Sequence, residues 1–191
     1  MPPDPVPPEF SYASRGALKL EAAFRHWGLD ASGGVAADLG CSTGGFTDVL
    51  LRHGALRVHS VDTAYGQLAY RLRTDPRVRV HERSNALHLP PVELCDWVVL
   101  DLGWTRQDRA LPAAAAWLKP GTGRVVTLIK PQYEASMPKI PLDRADRVAR
   151  EVAATIPGSE LGLMVTGLIR SPIRGGKGKN PEHLALLEQQ R

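Results

Sequence analysis

Residues 35–47 read Val-Ala-Ala-Asp-Leu-Gly-Cys-Ser-Thr-Gly-Gly-Phe-Thr. A short strand, Val35–Leu39, runs into a turn holding Gly40, Gly44 and Gly45, and a helical pattern starts at once with Phe46. Glycine at that density admits backbone that other residues rarely adopt, so the turn can be tight and its amides can approach a ligand. A strand, glycine turn and helix in succession form the opening unit of an open α/β sheet. Ligands of such sheets sit beyond the carboxyl ends of the strands.

The rest of the 191-residue chain continues the alternation. Arg57–Val61, Val78–His81, Asp96–Asp101, Gly123–Ile129 and Leu161–Ile169 predict strands. Ser14–Trp27, Phe46–His53, Gln67–Arg73, a segment from Thr105 to Leu118 and Leu142–Thr155 predict helices. Ser14 is the expected cap of the first, and Thr105 with Asp108 reads as a capping box for the fourth, in which Pro112 implies a late start or a kink. Pro157-Gly158 stops the fifth helix, and Glu182–Gln189 predicts a strand returning beside Leu161–Ile169. The fold class expected is α/β, Rossmann-like, with a mostly parallel sheet, helices on both faces and an antiparallel C-terminal strand. Five prolines among the first eight residues make 1–13 an extended lead-in and leave 14–191 as one domain. With 43% hydrophobic residues, no apolar run of spanning length and no signal-peptide pattern, a cytoplasmic location is expected. Cys41 and Cys95 form neither a metal pair nor a disulfide framework, and the six histidines lack ligand spacing, so no metal is expected.

The turn reads G-x-x-x-G-G rather than the dinucleotide pattern G-x-G-x-x-G, and Asp38 precedes its first glycine. A carboxylate there suits a cation better than a pyrophosphate, and S-adenosylmethionine carries a sulfonium and an amino group. Gly40, Ser42, Thr43, Gly44, Gly45 and Phe46 would form the wall of that cofactor site. Asp62, after the second strand, is placed to accept ribose hydroxyls. Asn85, after the third, reads either as a contact to the adenine edge or as a turn residue. Asp101 and Lys130 close two further strands at the same sheet edge.

Net charge is +4, which permits a nucleic-acid partner without demanding one. Arg71, Arg73, Arg77, Arg79 and Arg83 read equally as solvated surface or as a basic patch. Arg170, Arg174, Lys177 and Lys179, interleaved with glycine, suit a phosphate backbone.

Three segments carry a resemblance: Ser14-Arg15-Gly16-Ala17-Leu18-Lys19-Leu20, Asp38 to Leu51, and Val61 to Ala69. They closely resemble the FtsJ-like ribose 2′-O-methyltransferases, nearest the TlyA-like (haemolysin-related) ribosomal RNA branch. Ile129-Lys130-Pro131-Gln132-Tyr133-Glu134 is similar to that branch as well. The resemblance spans Ser14 to Glu134 and is loose beyond Ala135. It implies S-adenosylmethionine as cofactor, the methyltransferase fold and a Lys-Asp-Lys-Glu tetrad. Carried over by position, the tetrad is Lys19, Asp101, Lys130 and Glu182. Lys19 without the resemblance reads as an ordinary helix-surface lysine. The branch usually carries an S4-type RNA-binding segment ahead of this region. Only the proline-rich stub precedes Ser14 here, so RNA affinity is expected from the domain's own loops or from a partner protein.

The implied substrate is RNA, ribosomal ahead of transfer RNA, methylated on a ribose 2′-hydroxyl. That hydroxyl must lose a proton as the methyl group arrives, and a lysine takes a proton only when neutral. Lys130 is the expected base, or else a cation stabilising the developing alkoxide. Asp101 and Glu182 are expected to orient it. Tyr133 reads as a base-stacking residue or rim packing, and Trp104 as a pocket wall or core. Two other functions fit the same fold: a non-catalytic cofactor- or RNA-binding module, and a small-molecule methyltransferase.

Overall fold

The structure is a computed structural model that describes residues 12–156, 160–175 and 179–190. Its elements run α1 (Ala17–Trp27), β1 (Val35–Leu39), α2 (Gly45–Arg52), β2 (Arg57–Val61), α3 (Tyr70–Arg73), β3 (Val78–His81), β4 (Trp97–Leu100), α4 (Gln107–Trp117), β5 (Arg124–Ile129), α5 (Pro131–Glu134), α6 (Leu142–Thr155), β6 (Leu163–Arg170) and β7 (His183–Gln189). One seven-stranded sheet has the order β3-β2-β1-β4-β5-β7-β6. Strands β1 to β5 pair in parallel, and β7 lies antiparallel between β5 and β6. The expected mostly parallel sheet with an antiparallel closing strand is therefore present.

Strands buried on both faces read as continuous apolar runs, and β4 (Trp-Val-Val-Leu) alternates its side chains between two cores. Trp97 and Val99 join Phe24, Leu20, Val49 and Leu50 from α1 and α2 on one face. Val98 and Leu100 join Leu111, Ala114 and Trp117 from α4 and Ala149 from α6 on the other. Both layers hold the carboxyl ends of β1, β2, β4 and β5 at one edge, where Gly40, Asp62, Asp101 and Lys130 emerge.

Several local expectations are corrected. Ser14 does not cap α1; residues 14–16 form a turn, and a Cβ on Gly45 would lie 2.5 Å from the Ser14 hydroxyl. Ser14 is thus committed to docking against the glycine turn. Helix α3 starts at Tyr70 rather than Gln67, because the Ala69 amide donates to the Thr43 carbonyl at 3.1 Å and holds that stretch extended. The Thr105–Asp108 capping box does not form. The Thr105 hydroxyl donates to the Gly103 carbonyl, and Glu134 Oε1 accepts the Gln107 amide at 2.8 Å, so α4 is capped from α5. Tyr12 and Ala13, expected in the lead-in, are docked instead: the Ala13 amide donates to Asp48 and Arg52 lies over the Tyr12 ring. Residues 1–11 and Pro157-Gly158 lie outside the described residues. Among the described residues no helix is long and apolar enough to cross a membrane.

Candidate active site

The glycine turn forms one wall of a cleft of about 700 Å³. Gly40, Ser42, Thr43, Gly45 and Phe46 line it, facing Ser14, Arg15, Gly16 and Lys19, with Asp101 at one end. Gly40, at φ +94°, permits the close approach of β4: a Cβ there would sit 2.9 Å from the Asp101 carbonyl. Gly44, at φ +98°, does not face the cleft as expected. Its missing side chain leaves room for Leu68 and Leu72, so it serves packing.

Asp38 also differs from expectation. It is fully buried beneath the turn, and its Oδ2 accepts the Thr47 amide at 2.8 Å and the Thr47 hydroxyl at 2.7 Å. It pins the start of α2 rather than facing the cleft. Desolvation pushes its pKa up to about 7 against the Thr47 hydrogen bonds, helped by the nearby Asp101 and Asp62 charges. Its Oδ1 is buried without a partner. Asp62 accepts the Ser42 amide on Oδ2 and the Ala64 amide on Oδ1, each at 2.8 Å, tying β2 to the turn. Asn85 is not brought to the cleft; its Oδ1 accepts the Leu87 amide at 3.0 Å, the behaviour of a turn residue. Burial pushes the Cys41 thiol up, in keeping with a packing role.

A second cleft, about 900 Å³, adjoins the first, and Lys19, Asp101 and Gly175 line both. Lys130, Glu182, Trp104, Gln132, Tyr133 and Asn180 line only this one. All four residues of the implied tetrad meet at the junction. Lys130 Nζ lies 2.5 Å from Asp101 Oδ1 and donates to the Leu102 carbonyl at 3.0 Å. Lys19 Nζ lies 3.2 Å from Asp101 Oδ2 and 2.8 Å from Glu182 Oε2. Glu182 therefore pairs with Lys19 rather than orienting Lys130 as expected, and Lys19 and Asp101 stand between the two in the ion-pair chain. The Glu182 contact is electrostatic: its Oε2 is buried and receives no well-aligned N–H.

Burial works against the Lys19 ammonium, yet the Asp101 and Glu182 charges outweigh it and hold its pKa above the ordinary value. Burial likewise opposes the Asp101 carboxylate, and Lys130 and Lys19 hold it below the ordinary range. Trp104 is 88% exposed at φ +58°, so it walls the second cleft and is not core. Its ring stacks on Tyr133 with centroids 5.2 Å apart, and Lys130 Nζ lies 5.9 Å from the Tyr133 centroid.

The first arginine cluster is mostly neutralised: Arg71 pairs with Asp48, Arg73 with Glu82 and Arg77 with Asp75, while Arg83 lies over the Tyr65 ring. In the second, Arg170 pairs with Asp146, and Lys177 lies outside the described residues. Arg15, Gln132 and Asn180 were not singled out from sequence, although Arg15 and Gln132 sit inside the segments that carry the resemblance.

The chain matches the FtsJ-like methyltransferase family over residues 12–141. It belongs to that family. It is 37% identical over 190 residues to the 16S/23S rRNA (cytidine-2′-O)-methyltransferase TlyA of Mycobacterium tuberculosis, covering 95% of this chain and 70% of that protein. It is 35% identical to YqxC of Bacillus subtilis over 87% of this chain, and spans 62% of that relative's length. A solved hemolysin-named protein from Streptococcus thermophilus superposes with a TM-score of 0.84 at 38% identity, covering 95% of this chain and 68% of that one. The N-methyltransferase NodS of Bradyrhizobium japonicum, solved with S-adenosylhomocysteine, shares the fold at a TM-score of 0.62 and 17% identity. The fold is that of the S-adenosylmethionine-dependent methyltransferases, and S-adenosylmethionine is the cofactor. The residues present suit it: a cleft of adequate volume walled by the glycine turn, with the Asp101 carboxylate lining it.

Proposed function

We propose that this protein methylates a ribose 2′-hydroxyl of RNA, with ribosomal RNA as the substrate class and the cytoplasm as its place of work. The observation that supports this most is the position of the tetrad. Lys19 and Asp101 belong to both clefts, whereas Lys130 and Glu182 face only the one walled by Trp104 and Tyr133. The cofactor supplies an electrophilic methyl group and leaves as a neutral thioether, so the protein needs no acid for the leaving group. What it must supply is in-line placement and a route for the hydroxyl proton.

Lys130 is the residue for that proton. It faces the second cleft, where a nucleotide would enter, and Asp101 and the Leu102 carbonyl fix its amine. Lys19, stabilised as an ammonium by two carboxylates, holds Asp101 in place and keeps a positive charge beside the developing alkoxide. The stacked pair Trp104–Tyr133 offers a platform for a splayed base. An RNA-binding partner, or a segment beyond this chain's overlap with its relatives, would select the site.

The test compares Lys130→Ala with wild type for methyl transfer to ribosomal RNA and for S-adenosylhomocysteine binding. Transfer is expected to fall at least 100-fold with cofactor affinity retained. Transfer within a fewfold of wild type would contradict the assignment.

A further inference from the structure

The tetrad sets two lysines against two carboxylates, so it presents no surplus positive charge to an incoming polyanion. S-adenosylmethionine carries a sulfonium, an ammonium and one carboxylate, and is itself a net cation. In such a cleft only the cofactor's single carboxylate gains from additional positive charge. Yet Arg15, Arg174 and Lys179 all line it, all exposed, and no ion pair among the described residues neutralises any of them. Arg71, Arg73, Arg77 and Arg170 are each matched by a carboxylate, and what sets these three apart from other surface cations is that they are unmatched and line the cofactor cleft.

Their placement is also specific. Arg15 lies one turn ahead of Lys19, which reaches both Asp101 and Glu182. Arg174 precedes Gly175, which walls both clefts, and a Cβ on Gly175 would collide with the Glu182 carboxylate. Lys179 adopts φ +49°, an uncommon conformation for a residue with a Cβ. Three unmatched cations thus line the cofactor cleft, and Arg174 adjoins Gly175 at the border where that cleft meets the second. A ribose 2′-hydroxyl is separated by only a few covalent bonds from the phosphodiester on its 3′ side. A ribose lying against Lys130 therefore brings a phosphate to that border.

We propose that Arg15, Arg174 and Lys179 form a cradle for the RNA phosphodiester next to the methylated ribose, so that the RNA backbone closes over the cofactor cleft. This rests on the ribose-methylation reading above and adds where the backbone is gripped. The cradle supplies the electrostatic attraction that the tetrad lacks.

The test measures binding of a fluorescein-labelled cytidine oligoribonucleotide by anisotropy across a salt series, with saturating S-adenosylhomocysteine. Wild type is compared with Arg15→Gln, Arg174→Gln, Lys179→Gln and the triple variant, all checked for an unchanged thermal midpoint. Each single change is expected to reduce the slope of log affinity against log salt by about 0.7, and the triple by about 2. S-adenosylhomocysteine affinity, measured by calorimetry, is expected to stay within twofold. An unchanged slope in the triple variant overturns the proposal, as does a tenfold loss of S-adenosylhomocysteine affinity without a slope change, which would assign the cations to the cofactor carboxylate. Unchanged slopes alongside intact ribose methylation defeat the cradle alone. Reduced slopes without ribose methylation support the cradle and defeat the reaction assignment.

Discussion

Asp101 divides its two oxygens between two lysines: Oδ1 lies 2.5 Å from Lys130 and Oδ2 lies 3.2 Å from Lys19. One carboxylate thereby sets the separation of the two lysine amines. Asp101→Asn keeps the shape and removes the charge that holds both. Transfer is expected to fall by about 10²-fold or more. Its carboxylate is held below the ordinary range, so its ion pairs contribute stability above that range, and the contribution is lost as pH falls through the folded-state value. The thermal midpoint of wild type is expected to approach that of Asp101→Asn in acid. A variant with wild-type turnover would show that the bridge is structural only.

Asp38 gives a stability effect of opposite sign. Its folded-state pKa, about 7, lies above its ordinary value of 3.8, so the folded protein holds that proton more tightly than the unfolded chain. Stability is therefore expected to fall as pH rises from about 4 to about 7, by roughly 4 kcal/mol at 1.36 kcal/mol per unit. Asp38→Asn keeps an acceptor for Thr47 and cannot ionise. Its thermal midpoint should match wild type near pH 4 and exceed it at pH 8. A variant less stable than wild type at pH 8 would refute this.

Trp104 contributes little to the fold, being almost fully exposed. Trp104→Ala should leave stability within about 0.5 kcal/mol. Loss of one base-stacking face costs about 1–3 kcal/mol, which corresponds to a rise in the KM for RNA of roughly 5- to 150-fold with cofactor affinity unchanged. Equal KM values would remove Trp104 from the RNA path.

Asn180 joins two parts of the second cleft. Its Oδ1 accepts the Ile140 amide at 3.2 Å and its Nδ2 donates to the Pro138 carbonyl at 3.0 Å, two residues ahead of Glu182. Asn180→Ala is expected to lower kcat by about tenfold. If it acts through Glu182, the same change in a Glu182→Gln background should cost almost nothing further. Additive losses would make Asn180 a general structural residue.

Much of this architecture is legible in the residues themselves. The apolar runs at β1, β2, β4 and β5 give the parallel sheet, and Asp62, Asp101 and Lys130 appear at its carboxyl edge because each directly follows or closes a strand. Lys19 was legible only through the resemblance: nothing local distinguishes it from a surface lysine, and its burial depends on Asp101 and Glu182, 82 and 163 positions away. Asp38 misled for a related reason. A carboxylate beside a glycine turn can face a ligand or pin the following helix, and Thr47, nine residues on, decides it. The Thr105–Asp108 capping box lost to Glu134, a longer-range competitor for the Gln107 amide. Arg15 is set apart by lining the cofactor cleft without a carboxylate partner, which no sequence pattern reports.

The most direct measurement digests ribosomal RNA, after incubation with the protein and methyl-labelled S-adenosylmethionine, to nucleosides and identifies the labelled product, with Lys130→Ala in parallel. The account predicts label in a 2′-O-methylated nucleoside with wild type and none with the variant. Label in a base-methylated nucleoside, or equal ribose labelling by the variant, would contradict it.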